Sequence, residues 1–259
     1  MPEKKPSLFP YNLTPGGPEL SISLLQHIPE ELRGNADASL LLVGCRLGEN
    51  LLALAEHFPG KLIGIDEDAE TIYYAKWAVK EAGMQEQVSA RMIAPVQTNF
   101  QPGHFDIVIL EGMFAGYPPT RVLKEALRVL SPDGWLLLSD SCWLDDDVPT
   151  YVREVWEGPD HKLLTPAEVR TLLEERGLEV LALENWSDAL GPFYEQFRGT
   201  VKDMAKGGFE GLKHLKGLVK HYKHEIDVYS KHRGYEYMGY LGAVARPRHA
   251  DALPRHADA

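Results

Sequence analysis

Two cysteines in 259 residues are too few for a disulfide framework. Cys45 and Cys142 fit a reducing, cytoplasmic compartment. Metal-ligand spacing is missing as well. His214, His221 and His224 recur without a nearby cysteine, so no metal site is expected. The apolar runs fall well short of the roughly 20 residues that cross a bilayer, so no membrane partner is expected. The start, Met1 to Pro6, carries two lysines with no apolar core behind them, so no secretion signal is read. A net charge of −11 gives no basic surplus for a general nucleic-acid binder. Apolar content of 44% is that of an ordinary globular chain, and the length suits one large α/β domain with an elaboration.

What is present is concentrated around residue 44. Leu40-Leu41-Leu42-Val43 is an unalternating apolar run, as in a strand buried on both faces of a parallel sheet. Gly44 and Gly48 bracket a tight turn into a helix over 49–57, whose first amides face a ligand site. Leu62 to Ile65 gives a second strand ending on Asp66, about twenty residues on, where an acid grips ribose hydroxyls. The pattern predicts a nucleoside-bearing cofactor at the carboxyl edge of the sheet. A G-x-G-x-x-G dinucleotide fingerprint is absent, and Arg46 stands where backbone would approach a pyrophosphate. A nicotinamide oxidoreductase is therefore disfavoured. An α/β turn that binds nothing remains the plain alternative.

Further along, residues 1–18 are rich in proline and glycine and read as an arm. A helical pattern follows over 20–32, making residues 1–36 an arm and opening helix. Glu67-Asp68 start a helix that runs to Ala82-Gly83, acids at its N-terminus suiting the dipole. Strands are predicted at 88–93, 105–110 and 135–139, with a helix over 120–130 stopped by Ser131-Pro132-Asp133-Gly134. Thr165-Pro166-Ala167-Glu168 is a capping box opening a helix that ends at Gly177. Strands at 178–183 and 235–245 follow. The alternation predicts a doubly wound α/β fold with a mostly parallel sheet. Between the last two strands, residues 184–234 read as two helices broken near Gly207-Gly208. The tail repeats itself: Pro247 to Ala252 recurs as Pro254 to Ala259. It is too polar to bury a core and reads as disordered over 247–259.

The turn Gly44-Cys45-Arg46-Leu47-Gly48 with Asp66, then Phe105-Asp106-Ile107-Val108, then Leu127 to Leu136 through Ser131-Pro132-Asp133-Gly134, occur in the order seen in class I S-adenosylmethionine-dependent methyltransferases, which the chain resembles over residues 40 to about 140. Leu42 stands where that family has an acid, and Arg46 where it has its middle glycine. The resemblance implies a seven-stranded sheet with an antiparallel last strand, formed by residues 37–183 and 235–246. It implies S-adenosyl-L-methionine as cofactor and a small-molecule methyl acceptor. In such a fold the 184–234 insertion becomes a helical lid on the acceptor side.

The same resemblance places Gly44, Cys45 and Gly48 beneath the methionine half of the cofactor and Asp66 on the ribose. Glu67 and Ala94 fall near the adenine, and Glu111 and Gly112 where cofactor and acceptor meet. Glu111 is equally readable as a solvated acid at a strand end. Glu111, Asp140 and Tyr194 are candidate catalytic groups, since a base is needed where the acceptor must lose a proton. Trp143, Trp186, Asp188 and Tyr194 are candidate acceptor contacts through cation–π and charge pairing, with core packing as the competing reading of the aromatics. Lysines and arginines dominate 198–233, which suits an anionic acceptor or simply a solvated helix face. A cation opposes a sulfonium, so the Arg46 side chain is expected to turn away from the site. The motifs leave amine, hydroxyl and thiol acceptors open, and oligomeric state has no signature. The missing motif acid also admits a cofactor-binding or regulatory protein without methyl transfer.

Overall fold

A computed structural model describes residues 13–158, 162–205 and 216–248. The first twelve residues, the expected helix break at Gly207-Gly208, His214 and the tail beyond Arg248 lie outside the described residues, while Pro247 and Arg248, expected in a disordered tail, pair instead with Leu178 and Gly177.

Helix α1 (Gly17–Leu25) and a short α2 (Glu30–Arg33) precede β1 (Ser39–Val43). The single expected helix over 20–32 is thus two. The chain leaves the helix after Leu25, through turns over Gln26 to Ile28, before Pro29, which disfavours helix in the residue preceding it. Then come α3 (Glu49–His57), β2 (Lys61–Asp66), α4 (Ala69–Glu81), β3 (Val88–Met92), β4 (Phe105–Glu111), α5 (Pro119–Val129) and β5 (Leu130–Trp143). The chain continues through α6 (Thr150–Trp156), α7 (Pro166–Glu175), β6 (Leu178–Asn185), α8 (Leu190–Ala205), α9 (Lys216–Lys231) and β7 (Met238–Pro247). The predicted capping box is present: Thr165 accepts from the Glu168 amide and the Glu168 carboxylate accepts from the Thr165 amide.

The seven strands order as β3-β2-β1-β4-β5-β7-β6. Strands β1 to β5 pair in parallel, and β7 is antiparallel to both β5 and β6. The expected mostly parallel sheet with an antiparallel last strand is what forms. Sequence order reverses across β1 and β4, where α/β sheets open a crevice at their carboxyl ends. Two expected boundaries move. Strand β5 begins at Leu130, paired with Phe105, and regains register at Trp135 opposite Ile107, so Ser131 to Gly134 bulge out rather than separate helix from strand. Strand β7 starts at Met238, and Tyr235 stands half-exposed in a turn before it.

Three apolar clusters hold these layers. One lies under α5 and α7, with Val108, Leu110, Leu123 and Leu173; the opposite sheet face carries Leu24, Leu40, Leu51, Leu54 and Ile72. The third joins the insertion to the sheet edge and α6. Trp143 at the end of β5 and Met238 at the start of β7 pack with Val152 and Trp156 of α6, Phe193, Tyr194 and Phe197 of α8, and Ile226 of α9. Leu13 and Leu20 pack against that cluster too. The insertion therefore sits on the carboxyl edge of the sheet, where the functional crevice opens.

Candidate cofactor and methyl-transfer site

The turn after β1 is built by close approach. Gly44 has φ +87°, and a Cβ there would overlap the carbonyl oxygen of Glu111 on β4 and sit 2.6 Å from Met113 Cε. Gly44 and Cys45 amides both donate to the Ile65 carbonyl, at 2.9 and 3.1 Å. The two glycines expected to cradle a ligand are thus needed first by the protein: Gly48, at φ +91°, is the N-cap of α3, and a Cβ there would press to 3.2 Å on Ala75 of α4.

Asp66 ends β2 half-buried beside this turn. Its Oδ2 accepts the Arg46 amide at 3.2 Å and its Oδ1 the Asp68 amide at 3.0 Å. Each carboxylate oxygen has a second lone pair, so hydroxyl donors are still accommodated. Ala94 follows Ile93, whose amide donates to the Asp66 carbonyl at 2.9 Å, so Ala94 flanks the same edge. Glu67 is exposed and accepts a hydrogen bond from the Tyr117 hydroxyl. Beside the turn is a narrow cleft lined by Leu13, Thr14, Gly44, Cys45, Arg46, Glu49, Asn50 and Glu111.

Glu111 is not a solvated acid. It is 2% exposed, accepts from the Ser21 hydroxyl, and receives the Asn50 amide at 3.0 and 2.9 Å on its two oxygens. Burial raises its pKa, opposed by Ser21, Asn50 and Arg46. Ser21 and Asn50 escaped the sequence reading. Asn50 had one signal, a polar residue on the buried stripe of α3 with Leu51 and Leu54. Asp140 is equally buried. Burial pushes it up to about 7 although amides of Phe114 (2.6 Å), Ala115 (3.2 Å) and Ser141 (2.9 Å) all donate to it. Those bonds fix the loop after β4, including Gly112 and its φ of +63°.

Three of the expected acceptor contacts, Trp143, Trp186 and Tyr194, meet in or against one apolar cluster, but their polar atoms are already engaged there. Trp143 is fully buried, donates to Glu157 at 2.7 Å and carries the Arg153 guanidinium over its ring. Trp186 donates to Glu184 at 2.9 Å and lies flat on β7 at Gly242, where a Cβ would meet its ring at 2.5 Å. Asp188 is exposed, in a turn before α8. Tyr194 is 2% exposed; its hydroxyl donates to Glu225 at 2.7 Å, and Trp156 Nε1 donates to the same oxygen at 2.6 Å. Burial and Glu225 hold the Tyr194 hydroxyl well above its ordinary pKa, which makes it a poor base. Cys45 is likewise pushed up by burial and by Asp66, away from thiolate chemistry.

Glu225 ties α6, α8 and α9 together through those two donors. Glu225→Ala strands both in an apolar cluster and should lower unfolding free energy by about 2–4 kcal/mol. Glu225→Gln keeps an acceptor and should cost clearly less. Urea unfolding of the two variants reads the difference, and equal losses would remove the carboxylate from this role.

A pH signature follows from Glu49, raised to about 7 by burial, then by Glu19 and Glu111. The folded state keeps a proton that the unfolded chain releases above its ordinary carboxylate range. Stability therefore falls as pH rises from about 4.5 to 7 and stays low above that. Asp140 acts in the same direction. Glu49→Gln should flatten Glu49's share of that slope, about 1 kcal/mol between pH 5 and pH 8 after solvent screening. Melting curves of both proteins across that range measure it. A Gln variant with the wild-type slope would show that Glu49 ionises normally.

Residues 41–138 match the family described as a methyltransferase domain. Those residues run from β1 to β5 and include the turn, Asp66 and Glu111, and the strand order is that of the class I methyltransferase fold. A Haemophilus influenzae protein described as an uncharacterized protein is 29% identical over 122 residues, 46% of this chain. The match spans 49% of that relative's length. Among solved structures, the [4+2]-cyclase SpnF superposes with TM-score 0.71 at 20% identity, covering 89% of this chain and 81% of that one. Geranyl diphosphate C-methyltransferase from Streptomyces coelicolor A3(2), with Mg2+, geranyl diphosphate and S-adenosyl-L-homocysteine, gives 0.64 at 16% identity over 89% and 80%. Haemonchus contortus phosphoethanolamine N-methyltransferase 2, with S-adenosyl-L-methionine, gives 0.72 at 16% over 92% and 55%.

Proposed function

We propose that this protein is a methyltransferase that uses S-adenosyl-L-methionine to methylate a small molecule at an amine, hydroxyl or thiol. The observation that carries the reading is the meeting, at one point of the carboxyl edge, of the Gly44–Gly48 turn, the Asp66 carboxylate with lone pairs to spare, and the buried Glu111 carboxyl. Asp66 suits a ribose diol, and Glu111 suits a positive charge above the turn. The cofactor supplies an electrophilic methyl group on a sulfonium. The chain's part is to hold the acceptor in line and to exclude water. Helices α6, α8 and α9, with the arm at Leu13, are placed to close the acceptor side, which supports the lid reading of residues 184–234. Of the candidate bases, Asp140 is the one whose pKa lies near neutrality, although three amides already occupy it. The net charge of −11 suits a small acceptor better than nucleic acid. Two buried, unpaired thiols suit the cytoplasm. Among the described residues no helix is long and apolar enough to cross a membrane.

One observation favours a second reading, cofactor-fold chemistry without methyl transfer: a cyclase shares this fold, and fold does not fix reaction. Calorimetry with S-adenosylmethionine and S-adenosylhomocysteine, followed by S-adenosylhomocysteine release with a panel of small amines, alcohols and thiols, separates them. Binding with release supports the methyltransferase, binding without release supports the second reading, and no binding overturns both.

A further inference from the structure

Arg46 does not turn away from the site. It occupies the family's middle-glycine position with φ +46°, a left-handed conformation that side chains rarely adopt. Its guanidinium donates to the Leu13 carbonyl of the arm. Its Nη2 lies over Gly112, so close that a Cβ on that glycine would stand 2.9 Å away. It is near enough to Glu111 and Asp140 to act on both electrostatically. The side chain thus runs from the cofactor turn, across the end of β4, to the arm. Attachment at both ends accounts for the tolerated backbone strain.

We propose that Arg46 is a latch and a specificity-determining residue: in the ligand-free protein it straps the arm at Leu13 over the cleft and supplies the positive charge that Glu111 and Asp140 require, a role that an incoming sulfonium takes over. Two consequences follow. The arm opens only when Arg46 lets go of the Leu13 carbonyl. And the guanidinium penalises the cationic cofactor relative to its neutral product, because like charges compete for the same carboxylates. The second consequence rests on the cofactor reading above; the first does not.

Arg46→Met keeps an unbranched apolar stem and the strained backbone while removing charge and donors. Arg46→Lys keeps the charge but loses the forked donor. Amide exchange of residues 13–17, measured without ligand, should speed up at least severalfold in both variants. Exchange unchanged from wild type overturns the latch. Dissociation constants for S-adenosylmethionine and S-adenosylhomocysteine then test specificity. In Arg46→Met the ratio should shift toward S-adenosylmethionine by about tenfold or more, while Arg46→Lys keeps the wild-type ratio. An unmoved ratio in Arg46→Met overturns the specificity role. If the wild type binds neither ligand, the methyltransferase reading and the specificity role fail together, and arm exchange still decides the latch. Should Arg46→Met not fold, Arg46→Lys carries the exchange measurement.

Discussion

Replacing Gly44 by alanine should lower the melting temperature by about 6–12 °C. The methyl group would drive into the Glu111 backbone carbonyl, and backbone on two paired strands cannot move aside as a flexible side chain does. The left-handed φ adds its own penalty. Together these come to about 3 kcal/mol. Gly83 is the control. It also has positive φ, +72°, but a Cβ there meets nothing within 4 Å. Gly83→Ala should lose only the conformational part, about 1 kcal/mol or 2–4 °C. Differential scanning calorimetry of both variants separates steric overlap from strain. Equal shifts would mean that the turn relaxes around the methyl and that β1 and β4 are not held as closely as they appear.

Asp66→Ala should weaken S-adenosylmethionine binding by tenfold or more, because losing hydrogen bonds to a charged acceptor costs about 1–3 kcal/mol. The same carboxylate also accepts the Arg46 and Asp68 amides, so the variant should lose some stability as well. Asp66→Asn distinguishes the two roles. It keeps an acceptor for one amide and should recover most stability, while affinity stays well below wild type. Calorimetric titration of the three proteins below their melting temperatures is the measurement. Wild-type affinity in Asp66→Ala would dismiss the ribose assignment.

Much of this was legible from residue types alone. The unalternating run Leu40 to Val43 marks a strand buried on both faces, and its four residues are indeed at or below 3% exposure. Asp66 followed by a helix start at Asp68 is local chemistry: the Asp68 carboxylate accepts the Thr71 amide at 2.7 Å and caps α4. The capping box at Thr165 is equally local. These features depend on contacts within a few residues, so sequence spacing contains them.

The site's electrostatics were not legible, since they depend on residues that meet only after folding. Glu111 could be read as a solvated strand-end acid until Ser21, 90 positions earlier, and Asn50, 61 earlier, were seen to reach it. Trp143 and Tyr194 had the composition of an acceptor box, yet Glu157 and Glu225 take their polar atoms. Nothing in the spacing of 143, 156, 194 and 225 says that they share one cluster.

Arg46 shows where the division falls. The sequence by itself determined a strand-turn-helix whose turn is bracketed by two glycines, with an acid twenty residues on, because backbone sterics and hydrophobic periodicity act locally. That an arginine in the turn lies across the crevice instead of in solvent was decided only by tertiary structure. Its direction is set by the Leu13 carbonyl and by two buried carboxylates from β4 and β5. A long cationic side chain in an open turn goes where the field and the acceptors of the folded protein send it.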